Sequence, residues 1–167
     1  MNLKILCIFL IAFTTKVNAQ GSLDVLLDTY NTRSVPYISV EGLRMLQVND
    51  SVVVLDARER NEYEVSHIAS AKYIGFSEFS SEEITSMIKD KNVPIIVYCS
   101  LGIRSEEIGE KLQKEGYTNV KNLYGGIFEW KNNDYPVLDP KGNETEKVHA
   151  FSRSWGKWLT KGKKVYD

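Results

Sequence analysis

Two short runs of unbroken apolar residues constrain this chain most: Val52-Val53-Val54-Leu55, and Ile95-Ile96-Val97-Tyr98 following Pro94. A strand with one wet face alternates apolar and polar residues. These runs do not alternate, so both of their faces must be covered, as in the interior of a parallel sheet. Parallel neighbours cannot be joined by a hairpin and need a crossover, usually a helix. The runs therefore predict an α/β domain of three layers, with a central, mostly parallel sheet flanked by helices.

The surrounding sequence supplies the other elements. Residues 20–34 show no strong period and read as a lead-in. Tyr37-Ile38 reads as a short strand. Val40 to Val48 reads as a helix capped by Ser39, with Leu43, Leu46 and Val48 on or near one face. Arg60 to Val65 suits a helical turn or two, and Tyr73-Ile74 a short strand. Ser80 or Ser81 caps a helix running to about Lys89, with Glu82 and Glu83 favourably placed in its first turn. A further helix spans Arg104 to Lys114, with Ile103, Ile108 and Leu112 on its apolar side and Gly116 ending it. Asn119 to Tyr124 reads as a strand, Gly125-Gly126 as a turn, and Ile127 to Lys131 as a last short helix before Pro136. Residues 139–147 (DPKGNETEK) read as a polar linker. The end of the chain, to Asp167, is a basic and aromatic tail. Trp155, Trp158, Lys157, Lys161, Lys163 and Lys164 in that tail suit either a membrane or partner surface or packing back on the domain. The sequence assigns the tail no function.

The formal net charge of −1 gives no generic attraction to nucleic acid. The N-terminus stands apart. Lys4 precedes an apolar run of nine residues, Ile5 to Phe13, and Val17-Asn18-Ala19 then offers a cleavage site. Residues 1–19 read as an export signal cut after Ala19. The run is about half the length that a bilayer core requires, so no stable membrane span is expected after cleavage. The expected location is periplasmic or secreted.

The only cysteines are Cys7, which leaves with that signal, and Cys99. The processed chain can form neither an internal disulfide nor a CxxC pair, in a compartment that favours disulfides. On count alone, Cys99 is equally a reactive thiol or an inert buried one.

Its neighbours decide between them. In Val97-Tyr98-Cys99-Ser100-Leu101-Gly102-Ile103-Arg104-Ser105, the cysteine leaves the carboxyl end of a strand, where open α/β sheets bind ligands. The N–H groups between that strand and the next helix can form a nest for an anion, reinforced by the helix dipole. Gly102 permits the tight turn, and Arg104 adds a fork of donors suited to an oxyanion. Such surroundings favour a thiolate. Cys99 is therefore the expected nucleophile, with Ser100 to Ser105 as the groups that hold its substrate.

The order and spacing of several motifs carry this further. Cys99, Gly102 and Arg104 follow Asp56-x-Arg58, then Glu62-Tyr63, His67-Ile68 and Ala71. After the loop come Leu123, Gly125-Gly126, Trp130 and Tyr135-Pro136. Over residues 35–138 the chain resembles a single-domain rhodanese. It departs at Ser66 and Ser70, where glycines are common, and at Asn133 and Asp134, where a glycine commonly precedes Tyr-Pro. These departures bear on turn geometry alone.

The resemblance implies a sulfurtransferase. Cys99 takes the outer sulfur of a donor such as thiosulfate or a persulfide, holds it as a persulfide, and passes it to a thiol or to cyanide. The implied partners are a small-molecule sulfur donor and a thiol acceptor, with no metal or organic cofactor. A non-catalytic rhodanese-like binding or regulatory module in the cell envelope is the alternative, although such modules usually lose the cysteine. Phosphatases that share the fold have a loop one residue longer between cysteine and arginine than the four residues Ser100 to Ile103. Asp56 and Arg58 are expected to support the site as an ion pair or turn brace. His67 and Trp130 are expected to be structural.

Overall fold

The computed structural model describes residues 23–49 and 51–167, so the signal reading of residues 1–19 lies outside the described residues. The chain divides into two compact units, one ending at Thr32 and the other spanning Arg33–Asp167. In the first, residues 23–30 form helix α1. The second carries the predicted α/β architecture.

Its central sheet has five strands in the order β1-β6-β5-β2-β4. They are β1 (Tyr37–Ile38), β6 (Val120–Leu123), β5 (Ile95–Tyr98), β2 (Val53–Asp56) and β4 (Lys72–Tyr73). Every pair in it is parallel. The two apolar runs lie side by side in the register Val53↔Ile95 to Asp56↔Tyr98. One face, carrying Leu55, Ile95 and Val97, packs with Ile84 and Ile88 near α4 (Ser81–Met87) and with Ile108 and Leu112 of α5 (Arg104–Lys114). The alternate residues Val54, Ile96 and Tyr98 point the other way and are equally buried. Absence of alternation in the sequence thus reflects a sheet covered on both sides.

The remaining helices are α2 (Val40–Val48), α3 (Arg60–Val65) and α6 (Gly126–Asn132). Ser39 caps α2 as expected, its hydroxyl accepting from Gly42 N at 3.1 Å. Ser80 caps α4 by the same bond to Glu83 N at 3.3 Å. Helix α4 stops at Met87, short of the expected Lys89. Ile88 takes an extended backbone and enters the core, where the buried Tyr117 hydroxyl donates to its carbonyl at 2.7 Å. The strand expected at Tyr73-Ile74 is one residue earlier, because Leu55 and Asp56 of β2 pair with Lys72 and Tyr73.

The region read as a linker is differently built. Asp139 accepts from the N–H groups of Lys141 and Asn143, both at 2.9 Å, and closes a hairpin between β7 (Val137–Leu138) and β8 (Glu144–Thr145). Strand β3 (His67–Ile68) pairs antiparallel with β7 on its other side. The polar residues of 139–147 therefore satisfy a turn. The tail folds back: β9 (Lys147–His149) pairs with β10 (Lys163–Val165), and Val148, Ala150 and Leu159 are fully buried. Asn132 at the end of α6 clamps the intervening loop, donating to Trp158 O at 2.8 Å and accepting from Thr160 N at 2.7 Å.

One glycine joins the sheet to the loop after β5. Gly126 has φ +56, and a Cβ there would lie 2.3 Å from Cys99 O and 2.7 Å from the Ser100 carbonyl. Gly116 also has positive φ, but a Cβ there meets nothing within 4 Å. Urea unfolding should separate them. Gly116→Ala is expected to cost about 1–2 kcal/mol, the usual left-handed penalty. Gly126→Ala is expected to cost more than about 4 kcal/mol or to prevent folding, because backbone cannot move aside.

Candidate active site

Cys99 is the first residue beyond β5, and its side chain is buried. Parallel pairing with β2 and β6 ends the strand at Tyr98, so the chain must turn at the sheet's carboxyl edge. Helix α6 fixes the direction of that turn. Ile127 N donates to Cys99 O at 2.9 Å, and Phe128 N donates to Ser100 O at 3.2 Å. These carbonyls are thereby turned toward α6.

Donors converge on the sulfur instead. Gly102 N lies 3.2 Å from Cys99 Sγ, and Ser105 Oγ lies 3.5 Å from it. Gly102 reaches this position with φ +107, a conformation that L side chains rarely adopt. Asn122 of β6 sets both donors. Its Nδ2 donates to Gly102 O at 2.7 Å, and its Oδ1 accepts from Ser105 Oγ at 2.8 Å. The single Ser105 hydroxyl proton can serve Asn122 or the sulfur, and a thiolate competes for it better than a thiol.

Arg104 supplies the charge. It forms a fork with Glu62 of α3, Nη1 to Oε2 at 2.6 Å and Nη2 to Oε1 at 2.9 Å. Its Nη2 also donates to Ser100 Oγ at 3.0 Å, and that hydroxyl donates to Glu62 Oε1 at 3.0 Å. Glu62 in turn belongs to a capping box, accepting from Glu59 N at 3.0 Å.

Burial pushes the Cys99 thiol up. The Arg104 charge, the hydroxyl and N–H of Ser105 and the N–H of Gly102 outweigh it, so the thiol lies below its ordinary value. Burial likewise opposes ionisation of Glu62. Its bonds to Arg104, the charges of Arg104 and Arg58, and the Glu59 N–H hold it below the ordinary carboxylate value.

The loop opens on a cavity of ≈ 80 Å³ lined by Cys99, Ser100, Leu101, Ile103 and Arg104, with Phe151 and Trp155 from the tail. Of the loop residues singled out in the sequence, Ser100, Leu101, Ile103 and Arg104 line this cavity, while Gly102 and Ser105 lie on the sulfur itself. Asp56 and Arg58 do not line this cavity. They form a buried pair, Arg58 Nη2 to Asp56 Oδ2 at 2.7 Å, which also ties Ser66 O at 2.6 Å and the Tyr98 hydroxyl at 2.5 Å. Their role here is to lock β2, β5 and the chain before β3, while Arg58 also acts on Glu62. His67 stacks on Tyr63 with centroids 4.2 Å apart, and Trp130 is buried with its N–H on Pro136 O. Among the described residues, no cluster of three His, Cys, Asp or Glu could hold a metal ion. None of their helices is long and apolar enough to cross a membrane.

Four residues of the site escaped the sequence reading. Glu62 stood in a recognised pair, Glu62-Tyr63, without an assigned partner. Asn122 was visible only as a polar residue inside a strand, two positions from Val120 and hence on its face. Phe151 and Trp155 carried no local signal, because only the folding back of the tail brings them to the loop.

Comparison with known proteins gives this geometry a family. The family model described as Rhodanese-like domain matches residues 39–133. Thiosulfate sulfurtransferase GlpE of Coxiella burnetii is 33% identical over 104 residues, covering 62% of this chain and 92% of that protein. A tRNA uridine(34) hydroxylase of Aster yellows witches'-broom phytoplasma is 32% identical over 114 residues, covering 65% of this chain but 36% of that one. The crystal structure of a rhodanese-related protein from Thermoplasma volcanium superposes with a TM-score of 0.53 at 29% identity, over 62% of this chain and 97% of that one.

Two substitutions should part the electrostatics. In Arg104→Gln, the pH midpoint for alkylation of Cys99 by iodoacetamide should rise above that of the unaltered protein, toward or beyond the ordinary thiol value of about 8.5. In Glu62→Gln the midpoint should stay or fall, because an anion has been removed while the Gln amide oxygen and Ser100 Oγ still accept from Arg104. Stability should respond differently. Glu62 contributes fully above its unfolded value of about 4.3, and that contribution is lost as pH falls through its lower folded value. Glu62→Gln should therefore lose about 3 kcal/mol at pH 7 in urea unfolding and show a flatter stability profile in acid.

Proposed function

Because this chain belongs to the rhodanese-like domain family, we propose that it moves a sulfane sulfur from a donor to a thiol or cyanide acceptor through a persulfide on Cys99. The observation that carries the reading is the pair of donors on the sulfur, Gly102 N–H at 3.2 Å and Ser105 O–H at 3.5 Å, in a loop beside Arg104. The likeness to a curated thiosulfate sulfurtransferase over nearly all of that protein's length supports it.

In the first half-reaction the Cys99 thiolate attacks the outer sulfur of the donor. With thiosulfate, the new Cys99–S bond forms as the S–S bond of the donor breaks, and sulfite leaves with the electron pair. The charge that was on Sγ moves to the added sulfur, which extends into the cavity over the loop. In the second half-reaction an acceptor attacks that outer sulfur. The Cys99–S bond breaks and the thiolate is regenerated, again within reach of the Gly102 and Ser105 donors. The Gly102 N–H is in place before either step, and Ser105 need only turn its hydroxyl proton from Asn122 to the sulfur, so little reorganisation is needed. Arg104 acts through its field, since its own hydrogen bonds go to Glu62 and Ser100. The proposal places this chemistry outside the cytoplasm, in the periplasm or the medium, on the strength of the N-terminal residues 1–19.

Steady-state formation of thiocyanate from a sulfane donor and cyanide tests the reading. Double-reciprocal plots at several cyanide concentrations should be parallel, as a two-step exchange through a covalent intermediate requires. Cys99→Ser should show no turnover above the uncatalysed rate. Turnover that survives in Cys99→Ser would remove Cys99 from the mechanism.

A further inference from the structure

The tail contributes something the family match does not reach. Residues 39–133 account for the loop, yet Phe151 and Trp155 form the far wall of its cavity. The Phe151 ring lies over the Arg104 guanidinium, 4.8 Å from ring centroid to Cζ. Trp155 meets Phe151 edge-on, with centroids 6.1 Å apart and an interplanar angle of 86°. Phe151 is held there at a cost. Its φ is +61, a left-handed value that bulky residues avoid. Ser152 N donates to Ala150 O at 2.7 Å, closing a tight turn around it. The flanks of the turn are anchored. Ala150 N donates to Val165 O at 2.8 Å, and Phe151 N donates to the buried His149 Nδ1 at 3.2 Å. His149 Nε2 is bonded to Asp167 at 3.2 Å. Strain of this kind persists where surrounding structure over-determines it, and it concentrates at ligand clamps.

The consequence concerns charge. Arg104 is the one charged residue lining the cavity among the described residues. Three hydrogen bonds tie it to Glu62 and Ser100, and one face of its guanidinium carries the Phe151 ring. A dianion entering the cavity meets aromatic and aliphatic surface from Leu101, Ile103, Phe151 and Trp155, and the one cation there is already paired with Glu62. An uncharged apolar group fits that wall better.

We infer that Phe151 and Trp155 make the Cys99 site selective for a small apolar persulfide, R–S–SH, over a dianionic donor such as thiosulfate. This deepens the sulfurtransferase reading and rests on it. The Cys99 thiolate attacks the outer sulfur of R–S–SH. The Cys99–S bond forms, the donor S–S bond breaks, and RS⁻ leaves with the electron pair while the proton stays on the transferred sulfur. Charge and atoms balance without a further reductant or oxidant. The R group, on the leaving side, lies against the two aromatic rings.

Thiocyanate formation with cyanide as acceptor should be compared for tert-butyl persulfide, thiosulfate and glutathione persulfide, in the full chain and in Phe151→Gly and Trp155→Ala. Glycine suits φ +61, so Phe151→Gly removes the ring and relieves the turn. Its thermal midpoint is expected to match or exceed the original. The unaltered protein should favour tert-butyl persulfide over thiosulfate in kcat/KM. In Phe151→Gly that preference should fall by about tenfold, mainly through KM for the persulfide. A preference for thiosulfate in the unaltered protein, or an unchanged ratio in both variants, would overturn the inference and leave sulfur transfer standing. Failure of all three donors to give Cys99-dependent thiocyanate would overturn both.

Discussion

A sulfur anion buried to 2% exposure is unfavourable unless donors replace the water it has lost. That constraint organises the site. The sulfur takes an N–H from Gly102 and a hydroxyl from Ser105, and both depend on groups further out. Gly102 can aim its N–H inward because Asn122 holds its carbonyl. The carbonyls of Cys99 and Ser100 are turned toward α6, where they accept from the N–H groups of Ile127 and Phe128. Gly126 has no side chain because Cys99 O occupies the place a Cβ would take. The same backbone that ends β5 therefore presents its donors to the sulfur and its acceptors to the next helix.

Charge is handled separately from hydrogen bonding. Arg104 raises the positive potential at Cys99 yet makes its own bonds to Glu62 and Ser100. A guanidinium left to roam would be hydrated and poorly placed. Held by a carboxylate, a hydroxyl and an aromatic face, it is a fixed source of field. The tail takes part in this arrangement, which links the C-terminal strands β9 and β10 to the chemistry of a loop roughly fifty residues earlier in the chain.

Much of this was legible in the residues. The apolar tetrapeptides named the central strands because a doubly covered sheet leaves no polar face to show. Helix α5 was readable to both ends, since the loop precedes it and Gly116 follows it. The Cys99 loop was readable as a candidate site because a thiol, a glycine and an arginine at a strand end suit an anion-binding turn. What stayed hidden was whatever depends on long-range closure. Glu62 meets Arg104 across 42 positions, and Asn122 meets Gly102 across 20. Residues 139–147 looked like a linker because turn residues and linker residues share a composition. Asp139 accepting two N–H groups tells them apart only once the chain is folded. The end of α4 differs from its expected position for a related reason: Ile88 leaves the helix to fill the core that Tyr117 closes.

The most direct test of the central claim is the mass of the protein itself. The chain would be incubated with a sulfane donor, desalted, and weighed intact before and after cyanide, with the modified position located by peptide mapping. The account predicts a gain of one sulfur atom on Cys99 that cyanide removes quantitatively. An unchanged mass after every donor, or a sulfur retained on Cys99 in the presence of cyanide, would contradict it.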